Sequence, residues 1–434
     1  MVLHGSTPAQ DSHYWNLQYG TKATLLGGAV IGSVSDLSAT YYNPGAIPLF
    51  DDPKVILSAK VYQYEKIKVI NGAGENKDLS HSSISPSPSF VAFKVKIDST
   101  QRNKLAFSVL TRQSMKFKLE TRQTKQDTGN TIINGGISAF QDFDEIWAGA
   151  TYSHKVSNII GLGLSPYVAY RNQNSRLQIV VEELQADTGI ASLFVLKSYN
   201  FSNYRALAKA GIAVNLKPLT FGLTITTPSL NILGSGSFGF NNFINDPDSV
   251  SNNVYETNAQ DSLKTTYNSS WAMGIGAAYW GKKINIHVSA EWYNAVKKFH
   301  PITLKPFYSP TSGNIVQNEI NQQFESIINA GIGMEYKLND KWSIAGSFIT
   351  DFSSSIKSLK SNISLTGWDI YHVSAGSNFS IGRAEITLGL SYSFGSDDIK
   401  QVADIENTGG FGNDIQPTAE VHFTRLKVLF GFVF

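Results

Sequence analysis

Cysteine is absent from the 434 residues, which excludes structural disulfides, thiolate zinc sites and a cysteine nucleophile. Charge is scarce: Asp, Glu, Lys and Arg together make up 16 %, against roughly 25 % in ordinary soluble proteins. Net charge is +2 with the basic residues scattered, so the electrostatic footprint of a nucleic-acid binder is missing and that partner class drops out. No apolar run approaches the roughly 18–20 residues of a spanning helix; the longest near the C-terminus, Val428–Phe434, has seven. The N-terminus, MVLHGSTPAQDSHYW, lacks the basic and apolar regions of a signal peptide, and Ala9-Gln10-Asp11 reads as the remnant of a cleavage region. No Pro/Ser tract or charge block divides the chain, which points to one large architecture.

Gly (36), Phe (25) and Tyr (19) are plentiful, and much of the chain alternates with a period of two. Ile386, Leu388, Leu390, Tyr392 and Phe394 fall on one face, with Thr387, Gly389, Ser391 and Ser393 on the other. Ile328–Leu338, Leu219–Ile225 and Ile284–Trp292 repeat the pattern, which helical spacing cannot produce. Fourteen such segments run from residue 54 to 434, joined alternately by six short turns and seven long polar loops, the latter at 69–86, 123–137, 183–191, 238–261, 300–319, 355–365 and 398–416. Short turns on one rim and long loops on the other are the pattern of an antiparallel outer-membrane β-barrel with both termini at the short-turn, periplasmic side. A soluble propeller or sandwich also alternates, but sandwich strands average about five or six residues and no motif returns at a fixed period. Trp147, Trp280, Trp292, Trp342 and Trp368 lie near strand ends, as interfacial girdles require. The last strand alternates Leu426, Val428, Phe430, Phe432 and stops on Phe434. A terminal Phe of this kind resembles the signal that barrel assembly machinery reads on bacterial outer-membrane proteins.

A barrel of fourteen strands is wider than side chains can fill, and one stretch is suited to occlude it. Gly20–Phe50 is apolar and rich in Gly, Ala and Ser, and closes on Tyr41-Tyr42-Asn43-Pro44-Gly45. Gly27-Gly28-Ala29, Ser35-Asp36, Ala39 and Tyr42-Asn43-Pro44, placed before the first strand, resemble the N-terminal hatch of the FadL/TodX (OmpP1)-like long-chain fatty-acid transporters. Gly45 stands where that family usually has Ala, a variant similar to Bacteroidetes members; the extra backbone freedom predicts a looser hatch turn. The resemblance divides the chain into a hatch, 1–53, and a barrel, 54–434. It implies that hydrophobic ligands are captured among the long loops and pass sideways through a gap beside a kinked early strand. The alternative for the first segment is a plain arm under the barrel.

Hatch or gating residues are then Asn43, Pro44, Gly45, Gly27 and Gly28. The third strand, Lys104–Arg122, has no Gly or Pro to mark a kink; Pro166 and Pro228 mark a bulge or an opening elsewhere. Phe423, Leu429 and Val433 fall on the lumenal face and line either an acyl pocket or a hatch contact. Arg112 and Lys116 either hold a carboxylate head group or form a hydrated rim. Acidic clusters such as Asp142, Asp144 and Glu145 lack calcium-loop spacing, the eight His are dispersed, and no Gly-x-Ser-x-Gly elbow occurs, so the expectation is no metal, no cofactor and no enzyme. The reading is passive uptake of fatty acids or similar lipids across the outer membrane, with membrane lipid and lipopolysaccharide around the wall. The alternative is a docking subunit of a larger outer-membrane secretion or assembly complex, with other outer-membrane proteins as partners.

Overall fold

The computed structural model describes residues 7–8, 12–50, 55–97, 102–126, 131–185, 189–248, 250–356, 367–382, 384–400 and 418–433. Sixteen antiparallel strand segments close into one barrel. They occupy fourteen wall positions because two strands are each broken in the middle. In chain order these are β1 Val55–Ile70, β2 Leu79–Lys96, β3 Asn103–Gln126, β4 Ile132–Lys155, β5 Ile160–Gln185, β6 Gly189–Leu216, β7 Leu219–Thr226 with Leu230–Asn245, and β8 Val254–Lys264 with Ala272–Trp280. The wall continues through β9 Ile284–Tyr293, β10 Ile327–Asn339, β11 Trp342–Asp351, β12 Ile370–Ile381, β13 Ala384–Lys400 and β14 Thr418–Val433, which pairs back onto β1.

The outside is the apolar face. Leu388, Leu390 and Tyr392 of β13 are exposed while Thr387, Ser391 and Ser393 are buried in the lumen, and β10 does the same with Ile328, Ile332 and Met334 outside and Asn329 and Glu335 inside. Among the described residues no helix is long and apolar enough to cross a membrane. Around most of the wall the strand backbone groups are satisfied by neighbouring strands.

Several stretches expected as loops are strand. β1 runs to Ile70, β2 starts at Leu79, β4 at Ile132, and β7 reaches Asn245. Their outward residues turn polar, which ends the amphipathic pattern, yet the inward ones stay apolar: Val69, Leu79, Ile137 and Phe240 are buried. The wall therefore stands taller on the long-loop side than its outer apolar band.

Inside lies the N-terminal segment, residues 12–50, with short helices at Lys22–Leu25 and Ala39–Tyr42 and a 3-10 helix at Pro44–Leu49. Nearly all of it is buried. Inward glycines of the wall form its seat. A Cβ at Gly276 would lie 2.6 Å from the Gly32 nitrogen, and one at Gly333 2.9 Å from Leu26 Cδ2. The Gly161-Leu-Gly163 and Gly331-Ile-Gly333 pairs thus make room for the segment. Wall hydroxyls take up its unpaired carbonyls: Ser153 Oγ donates to Pro44 O, and both Ser165 Oγ and Tyr167 OH donate to Thr40 O, each at 2.8 Å.

Candidate functional site

The inward residues of a single strand spell out three layers. Along β5 they are Gly161, Gly163, Ser165, Tyr167 and Ala169 beside the N-terminal segment, then Arg171, Gln173 and Ser175, then Leu177, Ile179 and Val181. Along β14, Lys427 and Arg425 precede Phe423 and Val421 in the same order. From the short-turn rim upward, the lumen is a packed segment, a belt of buried charge, and an apolar layer. That layer gathers Ile67, Val69, Leu79, Met115, Phe117, Leu119, Ile137, Ile179 and Phe423.

Asn43 anchors the lowest layer. Its Oδ1 accepts from Gly45 N at 3.1 Å, and its Nδ2 donates to Ile31 O and to Ile212 O on β6, both at 2.9 Å. One side chain thus closes the turn, ties two parts of the segment together and fixes both to the wall. Pro44 opens the 3-10 helix, where its missing N–H costs nothing. The expectation of a loose turn at Gly45 does not hold: a Cβ there would lie 2.5 Å from Gly211 O and 2.8 Å from Gly161 O, so the glycine serves close approach to β5 and β6. Gly27 and Gly28 adopt φ of +64° and +77°, and a Cβ on Gly28 would meet the Tyr42 hydroxyl at 2.8 Å. Asp36 holds the far end by accepting from Ser38 N at 2.8 Å; burial raises its carboxyl above the usual range against the pull of its Ser38 and Thr21 donors.

Belt charges are paired closely. Glu145 on β4 accepts from Arg171 Nη1 at 3.2 Å, Arg205 Nη2 at 2.5 Å and Trp147 Nε1 at 2.6 Å. Both guanidinium groups face the Tyr267 ring at 4.4 Å. Lys209 meets Glu291 at 3.2 Å, and Arg425 meets Glu65 at 2.6 Å. Residues of the belt and the segment enclose a cavity of about 50 Å³ that includes Tyr41, Arg112, Arg205, Lys209, Tyr267 and Glu291 in its lining.

The wall itself is interrupted at the level of the belt. β2 and β3 pair from Lys96↔Lys104 only as far as Phe90↔Leu110. Beyond that, among the described residues, β2 pairs with β1 alone and β3 with β4 alone. The departure coincides with a bulge in β3 between Thr111 and Gln113, which supplies the bend without Gly or Pro. The prolines stand on the other side of the seam: Pro86 and Pro88 are on β2, where an unpaired edge tolerates a missing N–H. Pro228, by contrast, separates the two segments of β7, and Pro166 keeps its pairing with Ala208 on β6.

Residues 13–19 grip this bulge. Tyr19 OH donates to Thr111 O at 2.8 Å, Arg112 Nη1 to Tyr14 O at 2.7 Å and Gln113 Nε2 to His13 O at 2.7 Å. Arg112 lies within 6 Å of the Tyr14, Tyr41 and Trp147 ring centroids, at 5.9, 5.7 and 5.6 Å. The bulge also reverses the face on which later β3 residues fall. Arg112 is buried in the lumen, whereas Lys116 is on the outside, 69 % exposed and paired with Asp142 at 2.9 Å. The two expected head-group residues are therefore on opposite sides of the wall. Phe423 joins the apolar layer against Trp368, with ring centroids 5.7 Å apart, and Leu429 pairs with Gly389 at the level of Leu25. The Val433 side chain and Phe434 are outside the described residues.

Compared with solved structures, the chain matches barrels end to end. A FadL homologue of Pseudomonas aeruginosa superposes with a TM-score of 0.65 over 97 % of this chain and 99 % of that one, at 14 % identity. The chain has the FadL-type fold. The toluene transporter TodX of P. putida gives a TM-score of 0.63 at 12 % identity over 96 % and 98 %, and the monoaromatic hydrocarbon channel CymD gives 0.57 at 9 % over 96 % and 97 %. No protein-family model and no curated protein sequence matches the chain. In this FadL-type barrel, the residues missed from sequence were those of the belt other than Arg112. Glu145 stands with Asp142 and Asp144 in an acidic cluster of the sequence, but it shares inward parity with Phe143 and Trp147. A charge in phase with inward aromatics was the available signal.

Proposed function

We propose that the protein is an outer-membrane channel for passive uptake of hydrophobic small molecules, with residues 1–53 as its hatch and the β2/β3 seam as its side exit. The supporting observation is that the seam begins at the level of the charged belt and runs upward beside the apolar layer. A hydrocarbon in that layer meets buried ion pairs below it, whose disruption costs several kcal/mol, and meets an unpaired wall beside it. Sideways release is the lower-energy route. The similar barrels named for toluene and monoaromatic hydrocarbons carry apolar cargo, which agrees with long-chain fatty acids or other apolar molecules here.

The test compares uptake of labelled oleate and labelled toluene by cells with and without the protein. A cleavable bismaleimide joining Ser85→Cys and Ser114→Cys across the seam supplies the second arm, because the chain has no native cysteine to interfere. Uptake should fall on cross-linking and return on cleavage; uptake indifferent to both the protein and the bridge sinks the reading.

One observation favours a second reading, a docking barrel within a larger complex. Above the apolar band the outer face of β3–β7 forms a groove of about 1420 Å³ lined by Lys118, Arg122, Asn174, Arg176, Gln178 and Asn200 among others, a polar surface suited to a protein. Gentle extraction and sizing decides between them: a lone barrel with bound lipid supports uptake, and a stable hetero-complex supports docking.

A further inference from the structure

The connection between β9 and β10, residues 294–326, folds as a strap over the inward face of the wall. Its Phe299, Ile302, Leu304, Ile320 and Phe324 join one buried cluster with Tyr199, Phe201, Phe238 and Phe240. It also covers an edge. The upper segment of β8, Val254–Lys264, pairs among the described residues with β7 and no other wall strand. On its other side Thr311 Oγ1 of the strap accepts from Tyr255 N and donates to Tyr255 O, and Gln260 exchanges two bonds with the Lys305 backbone.

Under the strap lies a carboxylate without a counter-charge. Glu256 is 1 % exposed. Its Oε1 accepts from Ser309 Oγ of the strap at 2.6 Å. Its Oε2 has no hydrogen-bond partner, and the residue enters no ion pair, among the described residues. Lys197 stands two strands away on β6, opposite Phe240. Directly across from Glu256 on β7 is Asn242, inward and equally buried, with neither its Oδ1 nor its Nδ2 partnered among the described residues. Side chains opposite each other on one face of an antiparallel pair stand roughly 5 Å apart at Cβ, so Glu256 and Asn242 reach the same point. Asn258, the next inward residue of β8, adds an unpartnered Nδ2. Buried polar groups are normally hydrogen-bonded, and buried charges paired or bound to an ion; this patch leaves two acceptors and two donors over.

We propose that Glu256 Oε2 and Asn242 Oδ1 bind a monovalent alkali cation, with water completing its shell and taking up the two amide donors. One carboxylate balances one positive charge, whereas a divalent ion would leave a surplus in a desolvated site. Among the described residues no group of three His, Cys, Asp or Glu could hold a metal, which sets this site apart from a calcium or transition-metal centre. The ion keeps the carboxylate where Ser309 reaches it, and so pins the strap to the wall by a charge-assisted bond. With the strap lifted, Glu256 faces water and the site is lost. The assignment does not depend on what the barrel carries.

Crystals of the intact barrel grown in rubidium chloride test it by anomalous scattering. A rubidium peak between Glu256 and Asn242, lost in Glu256→Gln, is the expected result; no peak, as for a site holding water alone, or an equal peak in the variant overturns the proposal. A second measurement needs no variant. The Tyr255 and Lys305 amides are bonded across the junction of strap and wall and exchange when it opens. With rubidium at about ten times its Kd, their hydrogen exchange should be about ten-fold slower than in N-methylglucamine chloride of equal ionic strength, whose cation is too large for the site. Equal exchange in the two salts also overturns it.

Discussion

Tyr19 donates its hydroxyl to the carbonyl of Thr111 at 2.8 Å, at the residue after the last pairing of β3 with β2. The residue at which the wall parts is thus held by the segment inside the barrel, which couples the packing of that segment to the state of the wall. Tyr19→Phe removes this donor and leaves Thr111 O without it. The expected loss is about 1 kcal/mol, read as a roughly five-fold rise in hydrogen exchange at the amides of residues 111–113, with the rest of β3 unchanged.

Asn43→Ala takes a donor from Ile31 O and from Ile212 O and the acceptor from Gly45 N at once. At about 1 kcal/mol for each lost hydrogen bond, the segment should leave its seat while the barrel stays closed. In planar bilayers the variant should show frequent large conductance steps that the parent lacks. A silent variant contradicts the anchoring role of Asn43.

Gly45→Ala tests close approach against turn flexibility. Because the added methyl meets carbonyl oxygens of β5 and β6, the cost should be about 1–3 kcal/mol, and limited proteolysis should cut within residues 20–50 of a barrel that still migrates as folded. Were the glycine needed only for a loose turn, alanine would be tolerated.

Two charge substitutions should differ sharply. Glu145→Gln removes the carboxylate that Arg171 and Arg205 share in the belt and should cost about 3–5 kcal/mol, seen as a lower denaturant midpoint. Lys116→Ala breaks a solvent-exposed pair with Asp142 and should cost at most about 1 kcal/mol.

The barrel was legible because its signal is local. Apolar and small polar residues alternate along each strand, so β10 and β13 could be written down from their own sequences, and the alternation of short with longer connections followed from counting, although several expected loops are strand. The inner segment was legible from composition, since a glycine- and alanine-rich stretch needs something to pack inside. The reach of Asn43 to Ile212, 169 residues away, was not. Neither was the sidedness of Arg112 and Lys116, because one bulged residue reverses the parity of everything after it.

Sequence by itself therefore determined the antiparallel all-β barrel, the apolar outside and the buried N-terminal segment, all set by periods and compositions within one element. Tertiary structure alone decided where the wall parts, which charges meet and why residue 45 is glycine. Each of these depends on distances between elements remote in the chain: the departure of β3 from β2 at Leu110, the convergence of Arg171 and Arg205 on Glu145, and the approach of a turn to the bare backbone of Gly211.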